Sequence, residues 1–273
     1  MCTIGAVFDG NQLVTFKQCD LIPVTHFHPP RVRRGQNGVE SYIAMTREGS
    51  EGIWAGSNDA GVSFVAADSY TTTAANYSTS QGEVQALFEA YEATVRDHTN
   101  ATEAAMHLTQ FYLSMGQATP FPAPDIALVS GWADETRTRK VAIFIEYMPN
   151  PYNQRPVRTI CRDEGYFVST NHFRLQPDSV HYPANHSTYL RLNRAESLLQ
   201  LSPNQTGVEQ LLSDQYYGQT ELSLCRETEF VGSEFFTQAT ALFSLSQGRP
   251  TCRYQVNGNP RTQPLQTFQE APL

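Results

Sequence analysis

Apolar and polar positions alternate in short runs over the first part of the chain, which predicts strands. Thr3–Phe8 forms one such run, Asp9-Gly10-Asn11 has turn chemistry, and Gln12–Lys17 reads as the returning strand of a hairpin. Residues 22–40, rich in Pro, Arg, Gly and Asn, read as a loop. Ile43–Thr46 and Gly61–Ala67 read as further strands, with Gly56-Ser57-Asn58-Asp59 as the turn before the second. Near residue 82 the spacing changes to that of an amphipathic helix: Val84, Leu87, Phe88, Tyr91 and Val95 share one face of a helix over 82–98. A second helix, 101–115, repeats the pattern with Ala105, Leu108, Phe111 and Tyr112, and Asn100 with Glu103 forms its capping box. Pro120–Pro124 breaks the helical pattern. Strands follow at Ile126–Trp132, Val141–Met148 and Gly165–Thr170, with Asp134-Glu135-Thr136 between the first two. A third helix spans 187–201 with Leu190, Arg194, Leu198 and Leu201 along one side, and strands return at Leu222–Cys225, Thr237–Leu245 and Thr251–Val256. No composition break or repeat divides residues 1–273, so one α/β domain is expected, with strand pairs covered by helices on their outer faces.

Composition narrows the partners. The 273 residues carry 19 Lys and Arg against 27 Asp and Glu, a formal net charge of −8, which argues against a nucleic-acid backbone. No apolar run reaches the roughly 18–20 residues needed to cross a bilayer, and the opening lacks the pattern of a signal peptide. The five cysteines, Cys2, Cys19, Cys161, Cys225 and Cys252, form an odd set without CxxC spacing. Neither a disulfide framework nor a metal site is expected, and a reducing cytoplasm is the expected compartment.

One of those cysteines directly follows the initiator. A start methionine before so small a residue is normally trimmed, which would leave an α-amine and a thiol on Cys2 itself. Their reference pKa values, about 7.7–8.0 and about 8.5, both lie near neutrality. The amine can therefore take the thiol proton and later return it to a leaving nitrogen. The bland alternative is a small residue tolerated at a start site. Lys17 and Asp20 end the returning strand and come back towards Cys2, either as an ordinary strand-end charge pair or as groups that favour a thiolate and hold an ammonium. Asn171, where the strand from Gly165 ends, either caps the next turn or donates to a developing oxyanion. His26 and His28, with Arg31, Arg33 and Arg34, mark either a solvated loop or a specificity loop. Tyr70, Tyr77, Phe121 and Tyr166 are core aromatics or pocket walls. His172 and Cys19 read as structural.

Taken in order, these segments resemble the cysteine-dependent N-terminal nucleophile (Ntn) hydrolases. The resemblance is to the linear-amide hydrolases and acyltransferases that include choloylglycine hydrolases, acid ceramidase-like amidases and the isopenicillin N acyltransferase group. It is carried by Met1-Cys2-Thr3, by Lys17 and Asp20 in an Arg/Lys-x-x-Asp strand end, and by Gly56-Ser57-Asn58-Asp59-Ala60-Gly61-Val62. Thr170-Asn171-His172-Phe173 and Ser187-Thr188-Tyr189-Leu190-Arg191 complete it.

The resemblance implies a four-layer αββα sandwich with two mostly antiparallel sheets, and hydrolysis of a linear amide through a Cys2 thioester. It implies Cys2 as nucleophile, its α-amine as base, Asp20 holding that amine and Lys17 beside the thiol. Asn171 would supply the side-chain half of an oxyanion hole, a backbone N–H near Asp68 the other half, and Arg191 would fix the cysteine end or the substrate. No cofactor and no metal are implied. The expected partner is a small-molecule amide, with no nucleic acid or membrane, and a homo-oligomer is compatible. Acyl transfer to an amine, and an inactive amide-binding relative, are the competing readings. Three features depart from the family pattern: Lys17 stands where arginine is commoner, Asp68 stands where bile-salt hydrolases often carry asparagine, and the spacing to Arg191 varies among branches. A lysine makes a point contact where arginine would present a planar fork.

Overall fold

The computed structural model describes residues 2–22, 25–69, 77–78, 81–115, 121–122, 125–148, 156–176, 182–227 and 235–269. In chain order the first strands are β1 (Cys2–Asp9), β2 (Gln12–Leu21), β3 (Arg31–Arg34), β4 (Ser41–Arg47), β5 (Ser50–Asn58), β6 (Ser63–Asp68) and β7 (Tyr77–Ser78). Helices α1 (Gln81–Arg96) and α2 (Ala101–Met115) follow, then β8 (Phe121–Pro122), β9 (Asp125–Trp132), β10 (Lys140–Tyr147), β11 (Val157–Arg162) and β12 (Tyr166–Ser169). The last part holds α3 (Ser187–Leu201), α4 (Gln205–Leu212), β13 (Phe236–Leu245), β14 (Thr251–Val256) and β15 (Gln266–Thr267).

Two antiparallel sheets result. One has the order β12-β1-β2-β13-β14-β15 and the other β11-β10-β9-β6-β5-β4-β3; β7 and β8 form a separate parallel pair. The alternation of each strand decides which layer its side chains enter. Ile4, Ala6, Leu13 and Cys19 from the first sheet meet Met45, Trp54, Val65 and Phe144 from the second in a core between the sheets. The opposite face of the first sheet packs Val7, Val14 and Phe16 against Leu192, Leu199 and Leu211 of α3 and α4. The opposite face of the second packs Ile53, Phe64 and Val129 against Tyr91, Val95, Leu108 and Tyr112 of α1 and α2. Helix, sheet, sheet, helix is the four-layer arrangement expected.

Most predicted elements are present, and several boundaries need correction. Arg31–Arg34 is a strand, inside a stretch expected to be a loop, because it pairs with β4 as an edge. The residues 56–58 expected to turn instead close β5, a strand that the glycines had hidden; the turn falls at 59–62. Gly52 is there for packing: a Cβ would come within 2.2 Å of the Phe88 ring on α1. β11 and α4 were not anticipated, and Leu222–Cys225 is irregular and not a strand. In α3 the buried face is Arg191, Leu192, Ala195 and Leu199, about one position from the stripe expected, and Leu201 is 83% exposed. α2 shows the Asn100 half of the expected capping box, with Asn100 Oδ1 accepting from Glu103 N at 2.9 Å.

Candidate active site

The β1–β2 hairpin builds the site. Gly10 takes φ +55° at the first position of a two-residue turn, where glycine carries no steric penalty. The resulting register pairs Cys2 with Cys19 and Ile4 with Lys17. Cross-strand partners share a face, so Cys2, Cys19 and Lys17 all point between the sheets. All three line a cavity of about 70 Å³, together with Leu21, Phe27, Trp54 and Asp68.

Within it, Lys17 Nζ donates to the carbonyls of Trp54, at 3.4 Å, and Ala66. It also lies 5.4 Å from the Trp54 ring centroid. Burial opposes its charge, but the thiols of Cys19 and Cys2 and the carboxylates of Asp68 and Asp125 outweigh this and hold its pKa above the ordinary lysine value. The Cys2 thiol is held below the usual thiol range, first by the hydrogen bond from Cys19, against desolvation, and then by the Lys17 ammonium. Cys19 is pushed the other way, by burial and by its hydrogen bond to Cys2. Cys19 was expected to be merely structural; the three-residue turn read at 9–11 would set Gln18 opposite Cys2, and the two-residue turn of the structure brings Cys19 there instead.

Asn171 closes the other side. Its Oδ1 accepts from the Cys2 nitrogen (2.8 Å) and from Arg191 Nη2 (2.9 Å), while its Nδ2 donates to the Asp68 carbonyl (2.7 Å). Three partners thus fix the amide orientation. Arg191, fully buried on α3, also donates from Nη1 to the Cys2 carbonyl (2.9 Å) and Thr3 Oγ1 (3.3 Å). The chain end that carries Cys2 is therefore clamped by Arg191 and Asn171 together. Asp68 offers its carbonyl to Asn171, where a backbone N–H had been expected to matter.

Asp20 lies apart from these contacts. Period-two alternation turns its side chain to the helix-covered face, opposite the Cys2 thiol. There its Oδ1 accepts from Thr237 (2.8 Å) and its Oδ2 lies 3.5 Å from Arg226 Nε, with both side chains buried. The Cys2 nitrogen, assigned by the resemblance to Asp20, donates instead to Asn171. Arg226 had not been singled out, because nothing in the stretch around it suggests burial. Ser187, which opens α3, ties it to the site: its Oγ accepts from Arg226 Nη2 (3.0 Å) and Arg191 Nε (3.3 Å) and donates to the Glu221 carbonyl (2.7 Å).

Several other sequence candidates lie elsewhere. Asn58, in the glycine-rich segment, donates to the carbonyls of Val95 and His98, both at 2.8 Å, and accepts from Val62 N; it secures the end of α1. Arg33 pairs with Glu92 at 2.7 Å, and His26 is exposed. His28, Arg31 and Arg34 do not line the cavity. Phe27, between the two histidines, is the residue of that loop that does, stacked edge-on against Trp54. His172 Nδ1 lies 2.9 Å from Thr188 Oγ1, and burial, with the nearby Arg174 and Arg191, lowers its pKa to about 4, so it is neutral and structural. Tyr166 packs against the α3–α4 layer. Tyr70 and the side chains of Tyr77 and Phe121 lie outside the described residues.

A larger cavity of about 170 Å³ lies between β4 and the β13–β14 hairpin, where Arg249 pairs with Asp59 at 3.2 Å. The cysteine lining it, Cys252, is pushed up to about 12 by burial and is no nucleophile. Chemistry therefore favours the smaller cavity. Among the described residues no cluster of His, Cys, Asp and Glu is placed to hold a metal, and no helix is long and apolar enough to cross a membrane.

No family model and no curated protein matches the chain. Solved structures do. The N-acylethanolamine-hydrolyzing acid amidase (NAAA) ortholog of Caenorhabditis elegans matches over 88% of this chain and 92% of its own, with a TM-score of 0.50 and 13% identity. A cysteine-to-alanine variant of the conjugated bile acid hydrolase of Clostridium perfringens matches over 99% of this chain and 97% of its own, with a TM-score of 0.52 and 11% identity. An arginine-to-leucine variant of that hydrolase gives a TM-score of 0.51 at 11% identity over the same shares. At such identities the likeness establishes the fold, which is the Ntn-hydrolase sandwich.

Proposed function

We propose that this chain is an amidohydrolase that cleaves a linear amide C–N bond through a thioester on Cys2. The observation that carries the reading is the position of the Cys2 thiol. It faces a cavity beside the Lys17 ammonium and the Cys19 S–H, both of which favour the thiolate, while its nitrogen is held by Asn171. The solved structures that share this fold include an acid amidase and a conjugated bile acid hydrolase, which supports the same reaction class.

In this proposal Met1 is removed, and the nitrogen that donates to Asn171 becomes an α-amine. The thiolate attacks the substrate carbonyl, and a tetrahedral oxyanion forms. An asparagine amide carries two N–H donors, of which Asn171 spends one on the Asp68 carbonyl. The second serves the oxyanion, with a backbone N–H near Asp68 as its partner. The α-ammonium protonates the departing amine, the thioester remains, and water releases the acid and regenerates the thiol. Arg191 keeps the cysteine end in place, and Asp20 with Arg226 forms a buried charge pair behind it. Leu21, Phe27 and Trp54 give the cavity an apolar wall suited to the acyl side of a small-molecule amide.

The test uses the purified full chain and a panel of N-acyl amides scored for released amine. Intact mass should show Met1 absent, and Cys2→Ser should lose activity while keeping its circular dichroism, because a hydroxyl is far less nucleophilic at neutral pH. Undiminished turnover in Cys2→Ser would sink the mechanism. Formation of a new amide when an amine acceptor is added would assign acyl transfer from the same thioester. A fully folded chain that retains Met1 and binds amides without turnover would identify a binding protein.

A further inference from the structure

The hairpin that presents Cys2 sets a second thiol against it in a particular geometry. The turn is two residues long, so the closing pair Asp9–Gln12 is a hydrogen-bonded pair, and pairing alternates back along the ladder. Cys2–Cys19 then falls in the non-hydrogen-bonded set. Two contacts agree. Phe8 N, six residues along β1 on the same backbone edge, donates away from β2 to Gly165 O (2.8 Å), and Cys2 N donates away from β2 to Asn171. In non-hydrogen-bonded pairs the Cα atoms lie about 4.5 Å apart, inside the roughly 4.4–6.8 Å span of disulfides. Both side chains open into the same cavity of about 70 Å³, well above the roughly 10–15 Å³ that one water molecule needs. Asp68 at its rim is exposed, so a small solute can enter.

We propose that Cys2 and Cys19 form a peroxide-sensitive pair in which Cys19 captures oxidised Cys2 as an intramolecular disulfide that blocks the nucleophile reversibly. The thiolate of Cys2 attacks one oxygen of a hydroperoxide. An S–O bond forms, the O–O bond breaks, and the alkoxide or hydroxide leaves and takes a proton from the medium. Cys2 is now a sulfenic acid. The Cys19 sulfur attacks the Cys2 sulfur, forming S–S and breaking S–O, and hydroxide departs with the Cys19 proton as water. Two thiols lose two electrons and one peroxide gains them. The unequal protonation of the pair sets the order: the easily ionised Cys2 reacts first, and Cys19, which keeps its proton beside the Cys2 thiolate, gives that proton to the departing hydroxide as its sulfur attacks the now neutral sulfenic acid. Without Cys19 the sulfenic acid would continue to the irreversible sulfinic acid. Cys225 and Cys252 are buried on other strands or turns, and Cys161 is exposed on β11, so none of them shares this cavity.

The idea rests on the Cys2 thiolate and not on amide hydrolysis, so it is scored by mass. The full chain carrying Cys161→Ser, which removes the exposed thiol, is treated with hydrogen peroxide in slight excess and mapped by non-reducing peptide mass spectrometry. The expected product is a Cys2–Cys19 linked peptide, two hydrogen atoms lighter than its parts and restored by dithiothreitol. In Cys19→Ala on the same background, dimedone should trap Cys2 sulfenic acid, and sulfinic acid should make up a several-fold larger fraction of the oxidised Cys2 than in the parent, whatever the rate of the first oxidation. Cys2 sulfinic acid forming in the parent without the linked peptide, and as the same fraction of oxidised Cys2 in Cys19→Ala, would overturn the proposal. Should Cys19→Ala misfold, the presence or absence of the linked peptide in the parent decides alone. A linked peptide in a chain that hydrolyses no amide would support this pair while the proposed reaction fails.

Discussion

Cys19 donates its S–H to Cys2 from directly across β1 and β2, and that contact outweighs desolvation in holding the Cys2 thiol below its ordinary range. Removing the donor without adding bulk therefore has a definite sign. In Cys19→Ala the pH midpoint for alkylation of Cys2 by iodoacetamide should move upward towards the reference of about 8.5, and the rate at neutral pH should fall. A midpoint that stays in place would mean that Cys19 does not hold the thiolate, leaving Lys17 and the chain-end amine to do so. The same residue shows what was legible beforehand. Cys2, Lys17, Asn171 and Arg191 were all read from the sequence, and the structure brings all four around one chain end. Asp20 was read too, yet it faces the other side of the sheet. A motif records spacing along the chain, whereas the face a side chain takes depends on the parity of its position relative to Cys2. Arg226 was invisible for a different reason: its partner Asp20 is more than two hundred positions away, and only folding joins them.

At the scale of elements, close packing of helix on strand explains where pattern reading succeeded and failed. α1 and α2 follow their apolar spacing because each lays one face on the second sheet. β5 was obscured by Gly52 and Gly56, which look like turn residues. They are strand glycines that let α1 approach, since a Cβ on Gly52 would strike the Phe88 ring at 2.2 Å. Gly52→Ala should accordingly destabilise the fold by about 1–3 kcal/mol, the usual cost of overpacking, measured by urea unfolding. Because Gly52 and Phe88 also line the Cys2 cavity, the reactivity of Cys2 should change with it. Unchanged stability would show that Phe88 swings aside at no cost. The stripe on α3 was misplaced by one position for a related reason. Leu190, Leu198 and Leu201 drew the expected stripe, whereas the helix buries Arg191 with Leu192, Ala195 and Leu199 because Arg191 reaches the cysteine end.

Over the whole molecule, the pH dependence of stability follows from groups that the core desolvates. Glu146 on β10 accepts from the backbone N–H groups of Arg174 (2.5 Å) and Leu175 (2.8 Å), anchoring the turn that follows Asn171. Burial nevertheless raises its pKa to about 7, against these hydrogen bonds. The unfolded carboxyl titrates near 4.3, so between these values the native chain binds more protons than the unfolded one. Stability should therefore fall as pH rises through this window and level off above it. Asp125, raised to about 6 by burial, acts in the same direction. Glu146→Gln should flatten the decline when urea midpoints are compared on either side of the window, and an unaltered slope would contradict the assignment. The sequence by itself determined the alternation that makes two sheets, the spacing that makes their covering helices, and a cysteine at the second position beside a matching hairpin, because these are local properties of neighbouring residues. Only the tertiary structure decided that Cys19 stands against Cys2, that Asp20 turns to Arg226, and that Asn171 and Arg191 converge on the cysteine end. Those contacts cross from one strand or layer to another, and the register and sheet order that create them are settled by packing the entire chain.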